Sequence, residues 1–420
     1  MAFDVVRGMR DFPPELARKK QWIEDRCREI FELYGFEPLE TPVVETLELL
    51  TKKGGAGSSI EDEIYAFEDK GGRKLGLRFD LTVPLARFVA SSKDLPIPFK
   101  RYQIGRVYRY DRPQAKRYRE FTQADADIIG VSSVLAEVEL IALSYDLMKA
   151  LGTDAKLFLN SRKILESLAI AFGIKQEKLS DCFRIIDKVE KIGWSEVERD
   201  LESKEINTEI LDVIQKNDLA SAKEVIIEKK QSIDGIKRLE ELLDYVNILG
   251  LSDFVNVELS LARGLDYYTD TVMELKTSEG PSIGGGGRYD NLIERYGGRK
   301  LCATGISFGV DRILDTIEKK IIAEKVKTKI FVSTLGDEYI KVALDIVSKL
   351  RKAGISTELD LMQRGISKNL EYASKKGIPF FIILGPKELS QGKLKLRNMV
   401  TGQEKLIDIS SIDAIKKEIL

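Results

Sequence analysis

In the stretch REFTQADADIIG, Arg119 to Gly130, polar and apolar residues alternate. Side chains two apart share a face of a β-strand, so Gln123, Asp125 and Asp127 point one way and Thr122, Ala124, Ala126 and Ile128 the other. Such a face is either the solvated side of an antiparallel sheet or a receptor for an ammonium group. The segment before it, FKRYQIGRVYRY (99–110), carries Arg101, Arg106 and Arg109, and the connection DRPQAKR adds Arg112, Lys116 and Arg117. Guanidinium groups present paired donors that match phosphate oxygens. Surface ion pairs account for part of this pattern, whereas a substrate with an ammonium end and phosphates accounts for all of it.

Three further stretches carry polar groups in unusual places. SLARGLDYYTDTVMEL (260–275) ends like a strand, yet Arg263, Asp266, Tyr267 and Tyr268 crowd its first half. SIGGGGRYDNLI (282–293) has four consecutive glycines without the Lys-Ser/Thr of a phosphate-binding loop. Its glycines either allow close backbone packing within a sheet or let a flat ring or sugar lie against the strand. In FGVDRIL (308–314), Arg312 falls one turn into a helix beside an apolar join.

Composition narrows the chemistry. The 420 residues contain no histidine, which removes the commonest general base and the commonest zinc ligand. Catalysis has to run on carboxylates, Arg, Lys, Tyr, Ser, Thr or the substrate itself. The three cysteines, Cys27, Cys182 and Cys302, have no CxxC spacing, so neither a disulfide framework nor a zinc site is expected. A net charge of −1 argues against a uniform nucleic-acid coat but permits a local basic stripe. No apolar run reaches the roughly 18 residues of a membrane helix, and MAFDVVRGMRDFPPE lacks the layout of a signal peptide, so a cytoplasmic location without membrane contact is expected.

The elements that must position these residues are legible in outline. Ile23, Cys27, Ile30, Phe31 and Tyr34 have helical spacing after Pro13 and Pro14, and Gly35 fits the helix stop. Pro38 and Pro42 make FEPLETPVVE an extended edge. Residues 74–130 alternate like an antiparallel sheet, with LTVPLARFVA as a short helix and residues 99–130 as a long hairpin. A helix near 134–151 precedes a charge-rich, mostly helical insertion at about 163–249, after which the sheet pattern resumes and the catalytic body ends near Lys320. A polar link at about 321–327 leads to residues 328–420, where strands and helices alternate as in a separate α/β domain.

Taken in order, the Pro42 edge segment, the hairpin GRVYRYDRPQ…RYREFTQ and GISFGVDRI resemble the three signatures of a class II aminoacyl-tRNA synthetase. RGMRDFPPE, LRFDLTVPLAR, LARGLDYYTDTVME and GGGGRYDNLI are similar specifically to the histidyl-tRNA synthetase family. The resemblance implies an α+β fold, an antiparallel sheet flanked by helices with a helical insertion, followed by an α/β anticodon-binding domain. It implies ATP with Mg2+ as substrate, no zinc, L-histidine and tRNA(His) as partners, and a homodimer formed through the Pro42 segment.

Matched motif by motif, the resemblance gives roles to individual residues. Asp80, Thr82 and Gln123 would hold the α-amino group, and Asp127 and Tyr268 the imidazole nitrogens, with Tyr267 packing the pocket. RGLDYY would be an antiparallel strand, and the glycine cluster would floor the pocket. Arg109 and Arg312 would grip ATP phosphates, while Arg263 would contact the carboxylate and α-phosphate as charge develops. Arg112 and Gln114 would meet the acceptor end of the tRNA, and Gln363, Arg364, Lys368, Asn369 and Lys375 would suit contacts to the anticodon arm. The alternative is the non-catalytic, histidine-binding regulatory subunit of ATP phosphoribosyltransferase; that paralogue resembles only the catalytic body and typically lacks the reactive arginine.

Overall fold

The computed structural model describes residues 3–52, 63–110, 118–263, 267–278, 282–321 and 326–419. The chain divides into two compact units, residues 1–321 and 322–420.

The first unit is built on an eight-stranded sheet in the order β1-β5-β6-β11-β10-β9-β7-β8. Its strands are β1 (Glu37–Pro38), β5 (Phe99–Tyr108), β6 (Glu120–Ile129), β7 (Lys156–Ser161), β8 (Val255–Val257), β9 (Thr271–Lys276), β10 (Gly284–Arg288) and β11 (Ala303–Gly309). Every pairing from β5 to β7 is antiparallel, and only the edge strands β1 and β8 run parallel to their neighbours. A smaller sheet, β2 (Val44–Thr46), β4 (Lys74–Leu77) and β3 (Ala66–Glu68), stands beside it.

The pleat assigns the two faces of the large sheet. Ala124 and Ala126 of β6 lie opposite Ile104 and Tyr102 of β5, and Phe308 of β11 lies opposite Ala124. This face is covered by the helix Pro14–Leu33, whose Phe31 ring lies 5.5 Å from Tyr102 and 6.0 Å from Phe308. The helix starts with Pro14 in its first turn and buries Ile23, Cys27 and Phe31, four residues apart on one stripe. Phe31 is wholly buried, so Phe31→Ala is expected to cost about 3–5 kcal/mol, read as a lower urea midpoint for the first unit. With one face closed by this helix, Gln123, Asp125 and Asp127 point to the other. All three are at least nine-tenths buried, so the solvated-face alternative fails.

Residues 162–248 form a run of helices, from Arg162–Ala171 to Asp234–Ile248, placed in sequence between β7 and β8. The second unit is a five-stranded sheet in the order β13-β12-β14-β15-β16, comprising β12 (Ile330–Thr334), β13 (Thr357–Leu359), β14 (Phe380–Leu384), β15 (Lys393–Asn398) and β16 (Glu404–Asp408). β13, β12 and β14 are parallel, which requires crossover helices, and Ile340–Lys352 and Ile366–Lys376 supply them. Ile330, Val332, Ile346, Leu350 and Ile382 form its core. Among the described residues no helix is long and apolar enough to cross a membrane.

Candidate active site

Four glycine positions show why the inner face of the sheet can hold large polar side chains. A Cβ on Gly285 would lie within 2.6–2.8 Å of the Arg263 guanidinium, and one on Gly287 within 2.8 Å of the Tyr268 ring. One on Gly305 would fall 1.9 Å from an Asp127 carboxylate oxygen, and one on Gly286 only 2.0 Å from the Gly305 carbonyl oxygen. The glycine cluster thus serves both close sheet packing and the seating of the site's own side chains.

Around Asp127 the hairpin register does the assembly. Arg101 lies directly across from Asp127, and the two form a buried ion pair of 2.7 Å, with Arg101 wholly enclosed. The Tyr289 hydroxyl donates to the second oxygen of Asp127. Arg101, in sequence one cation of a stripe that a phosphate-bearing substrate would account for, is the partner of this carboxylate. Arg106 also departs from that account: an odd number of positions from Arg101, it projects to the opposite face and pairs with Glu120 at 2.7 Å in solvent.

The other acidic groups have open valences. Asp80 sits just before the helix Thr82–Ser91, and its Oδ1 accepts from the Val83 amide at 3.0 Å. Among the described residues its Oδ2 is buried without a hydrogen-bond partner, as are Gln123 Oε1 and Asp125 Oδ1. Gln123 donates from its amide to Ser307 Oγ at 2.5 Å. The Tyr267 ring packs 4.8 Å from Tyr268 and 5.9 Å from Tyr289. Three unpartnered acceptors around one cavity suit a group with three N–H donors, an ammonium.

Burial sets the electrostatics of these acids. It pushes Asp80 up to about 6, against the Val83 amide, and Asp125 up to about 7, against Arg101 and with help from Asp127. Asp127 is also raised by burial, opposed by Arg101 and the Tyr289 hydroxyl. The folded chain therefore binds more protons than the unfolded one, and ligand-free stability falls as pH rises from the ordinary carboxylate range through about 7. Thermal melts of the ligand-free chain between pH 5 and 8 should show this fall, and Asp125→Asn should flatten it; a profile identical in both would refute the assignment.

A second cavity opens beside the first and is cationic. Arg109 Nε donates to the Phe79 carbonyl at 3.0 Å, leaving its guanidinium 5.3 Å from the Phe121 ring centre. Arg312, in the helix Val310–Ile317, donates to the Ser282 carbonyl at 2.8 Å. Arg109, Gln123, Arg263, Gly285 and Ser307 line both cavities, so an acidic pocket and a basic one meet at Arg263. Burial opposes the charge of Arg263, but Tyr268, Glu274 and Asp187 raise its pKa above the usual arginine value.

Arg263 is not in a strand. Its φ is +57°, β9 begins only at Thr271, and Tyr267 and Tyr268 lie in the connecting loop, which corrects the strand expected for RGLDYY. Arg263, Tyr267 and Tyr268 nevertheless all line one cavity. Residues 264–266, with Asp266, lie outside the described residues, as do Arg112, Gln114, Lys116 and Arg117.

Tyr289, Ser307 and Asp187 were not singled out from sequence. Tyr289 has a usable signal, two positions from Gly287 beside the glycine strand; Asp187 is 76 residues from Arg263 and has none.

In the second unit Asn369 is wholly buried, and its amide donates to Ser333 Oγ at 2.9 Å, Asp360 Oδ2 at 2.5 Å and the Arg364 carbonyl at 2.9 Å. It is a structural clasp rather than a nucleic-acid contact, because the helix Ile366–Lys376 turns it inward while Lys368 and Lys375 face out. The Arg364 guanidinium lies 5.4 Å from the Tyr372 ring centre, and Gln363 is exposed with φ +50°.

Comparison with known proteins now adds the family. The family model for histidyl-tRNA synthetase matches residues 8–313, and that for an anticodon binding domain matches residues 329–418. The chain belongs to the histidyl-tRNA synthetase family. It is 38% identical to histidine–tRNA ligase 1 of Bacillus cereus over 419 residues, covering 97% of this chain and 95% of the relative. The histidine–tRNA ligase of Methanocaldococcus jannaschii is also 38% identical, over 98% of both chains. The crystal structure of histidyl-tRNA synthetase from Nostoc sp. PCC 7120 superposes with a TM-score of 0.83 at 30% identity, covering all of both chains. The α+β reading and the synthetase resemblance both hold.

Proposed function

We propose that this chain activates L-histidine with ATP and Mg2+ and transfers the histidyl group to the 3′ end of tRNA(His), using the two joined cavities. The observation that carries the assignment of roles is the shared wall, Arg109, Gln123, Arg263, Gly285 and Ser307, at which an amino-acid carboxylate and a nucleotide phosphate would meet.

In this reading the α-ammonium sits against Asp80, Thr82 and Gln123 with Asp125 beside them, and the open oxygens of Asp80, Gln123 and Asp125 support it. Asp127, held by Arg101 and Tyr289, and Tyr268 take the two imidazole nitrogens. The ring is recognised by buried polar groups rather than by apolar fit, which allows discrimination of about 10⁴–10⁵ against analogues lacking the hydrogen bonds. Arg109 and Arg312 hold the phosphates. Magnesium enters with the nucleotide substrate in this reading.

A histidine carboxylate oxygen attacks the α-phosphorus, the bond to the bridging oxygen breaks, and pyrophosphate leaves with that electron pair. Arg263 faces the charge that develops at the α-phosphoryl group. The ribose hydroxyl of the terminal tRNA nucleotide then attacks the acyl carbon, the acyl–phosphate C–O bond breaks, and AMP leaves with that electron pair while its phosphate oxygen takes up the hydroxyl proton. Positioning and electrostatics dominate such steps, so a chain without histidine can perform them.

Residues 1–320 are the catalytic body in this reading, with the helical insertion at about 163–249, and residues 328–420 meet the anticodon arm. Arg112 and Gln114 meet the acceptor end. Exposed Val43 and Val44 beside Pro42 support pairing of two chains there, which equilibrium sedimentation would report as twice the 47.4 kDa chain mass. A cytoplasmic location follows from the same reading.

The test is ATP–pyrophosphate exchange with each of the twenty amino acids, followed by charging of tRNA(His). Exchange driven by histidine alone is expected. Histidine binding without exchange would replace this reading with the regulatory one.

A further inference from the structure

A non-glycine residue at φ +57° holds a backbone state that L side chains rarely adopt and that persists only where its surroundings enforce it. At Arg263 the enforcing group comes from the helical insertion. Asp187 Oδ1 accepts from the Arg263 amide at 2.8 Å and from the Ala262 amide at 3.3 Å. Asp187 itself caps the helix Leu179–Ile186, whose Phe183, Ile185 and Ile186 are buried, and its amide donates to the Phe183 carbonyl at 3.0 Å. The carboxylate is thus placed by a packed helix end.

The same turn reaches the other end of Arg263. Its Nη1 pairs with Glu274 Oε1 at 3.3 Å, Glu274 Oε2 pairs with Lys276 at 3.2 Å, and Lys276 pairs with Glu190, in the first turn of the helix Val189–Ile192. Residue 187 of the insertion therefore holds the arginine's backbone directly and residue 190 reaches its side chain only through Lys276 and Glu274, while the missing Cβ of Gly285 leaves room for its guanidinium.

We propose that Asp187 is a positioning residue for adenylate formation: by binding the amides of Ala262 and Arg263 it holds Arg263 in the left-handed conformation that aims its guanidinium between the two cavities. This makes the chemical step depend on the seating of the helical insertion. The inference rests on the reading of Arg263 as the group facing the α-phosphate.

The experiment measures histidine-dependent ATP–pyrophosphate exchange for the full chain, for Asp187→Ala, Asp187→Asn and Arg263→Ala, and for Asp187→Ala combined with Arg263→Ala. Loss of the two hydrogen bonds and the resulting misplacement should lower kcat roughly 10–100-fold in Asp187→Ala, with KM for histidine within about threefold. Asp187→Asn, whose amide oxygen still accepts both bonds, should stay within about fivefold of the parent in kcat. In the Arg263→Ala background, Asp187→Ala should cost no more than about twofold, because the group it positions is gone.

An equal loss in both backgrounds would show a merely structural role and overturn the proposal. So would an unchanged kcat in Asp187→Ala, or an asparagine variant as poor as the alanine one. If Arg263→Ala itself leaves exchange intact, the reading of Arg263 fails and the inference fails with it; if only Asp187→Ala is silent, that reading stands and the inference alone is wrong. Where Asp187→Ala does not fold, as judged by histidine calorimetry, Asp187→Ser takes its place, its hydroxyl being too short to span the gap.

Discussion

Arg263→Ala should lower histidine-dependent ATP–pyrophosphate exchange by roughly 10²–10³-fold, the loss typical when one donor to a developing oxyanion is removed. The guanidinium lies between the acidic and the basic cavity, lining both, and Glu274 and Asp187 keep it charged. Its interaction grows as charge accumulates at the phosphoryl group, so the loss falls on kcat, with histidine affinity changed by less than about tenfold. Arg263→Lys should recover little, because a single ammonium cannot reproduce the planar fork. Calorimetric titration with histidine beside the exchange assay separates the two quantities. A variant that binds histidine normally and exchanges normally would remove Arg263 from the chemistry.

The second large effect concerns Asp127. Asp127→Ala leaves Arg101, wholly enclosed in the sheet, without its 2.7 Å partner, and breaking a buried pair from one side typically costs about 3–5 kcal/mol. It also removes the acceptor proposed for the imidazole, so stability and histidine binding should fall together. Replacing both partners, Arg101→Met with Asp127→Leu, removes the uncompensated charge and should restore most of the stability while leaving histidine binding abolished. Urea denaturation and histidine titration on the single and double variants decide the matter. Recovery of binding in the double variant would mean that Asp127 serves the fold alone.

Asp80 and Asp125, raised by burial to about 6 and about 7, are protonated in the ligand-free chain at low pH and must ionise to receive an ammonium. Histidine affinity should therefore rise with pH through this range in the parent, by up to about tenfold per unit for each proton released. Free histidine titrates nearby, so the ratio of parent to Asp125→Asn is the quantity to follow.

Much of this was legible because it is local. The alternation of Gln123, Asp125 and Asp127 has the strand period, and β6 places them on one face as that period requires. The helix Pro14–Leu33 follows from the four-residue spacing of Ile23, Cys27 and Phe31. The motifs around Asp80, Arg109 and Arg312 resembled one family, and the family match holds over residues 8–313. In each case the pattern extends over a few residues and answers to a single backbone geometry.

What the sequence could not determine is which side chains meet across the fold. Arg101 reads as one cation in a stripe until the hairpin register sets it opposite Asp127, and Asn369 reads as a polar surface residue until its helix is docked. Arg263 sits in a stretch with strand-like residues, yet its amide and that of Ala262 donate to a carboxylate far off in the sequence, Asp187, which holds its backbone left-handed. Local propensity is a sum of small terms, and a few well-placed buried bonds outweigh it. The sequence by itself determined the hairpin and the first helix, the family and the types of chemical group available; only the tertiary structure decided the backbone at Arg263 and the pairing of side chains, because charge, burial and hydrogen bonding depend on neighbours that the chain brings together from far apart.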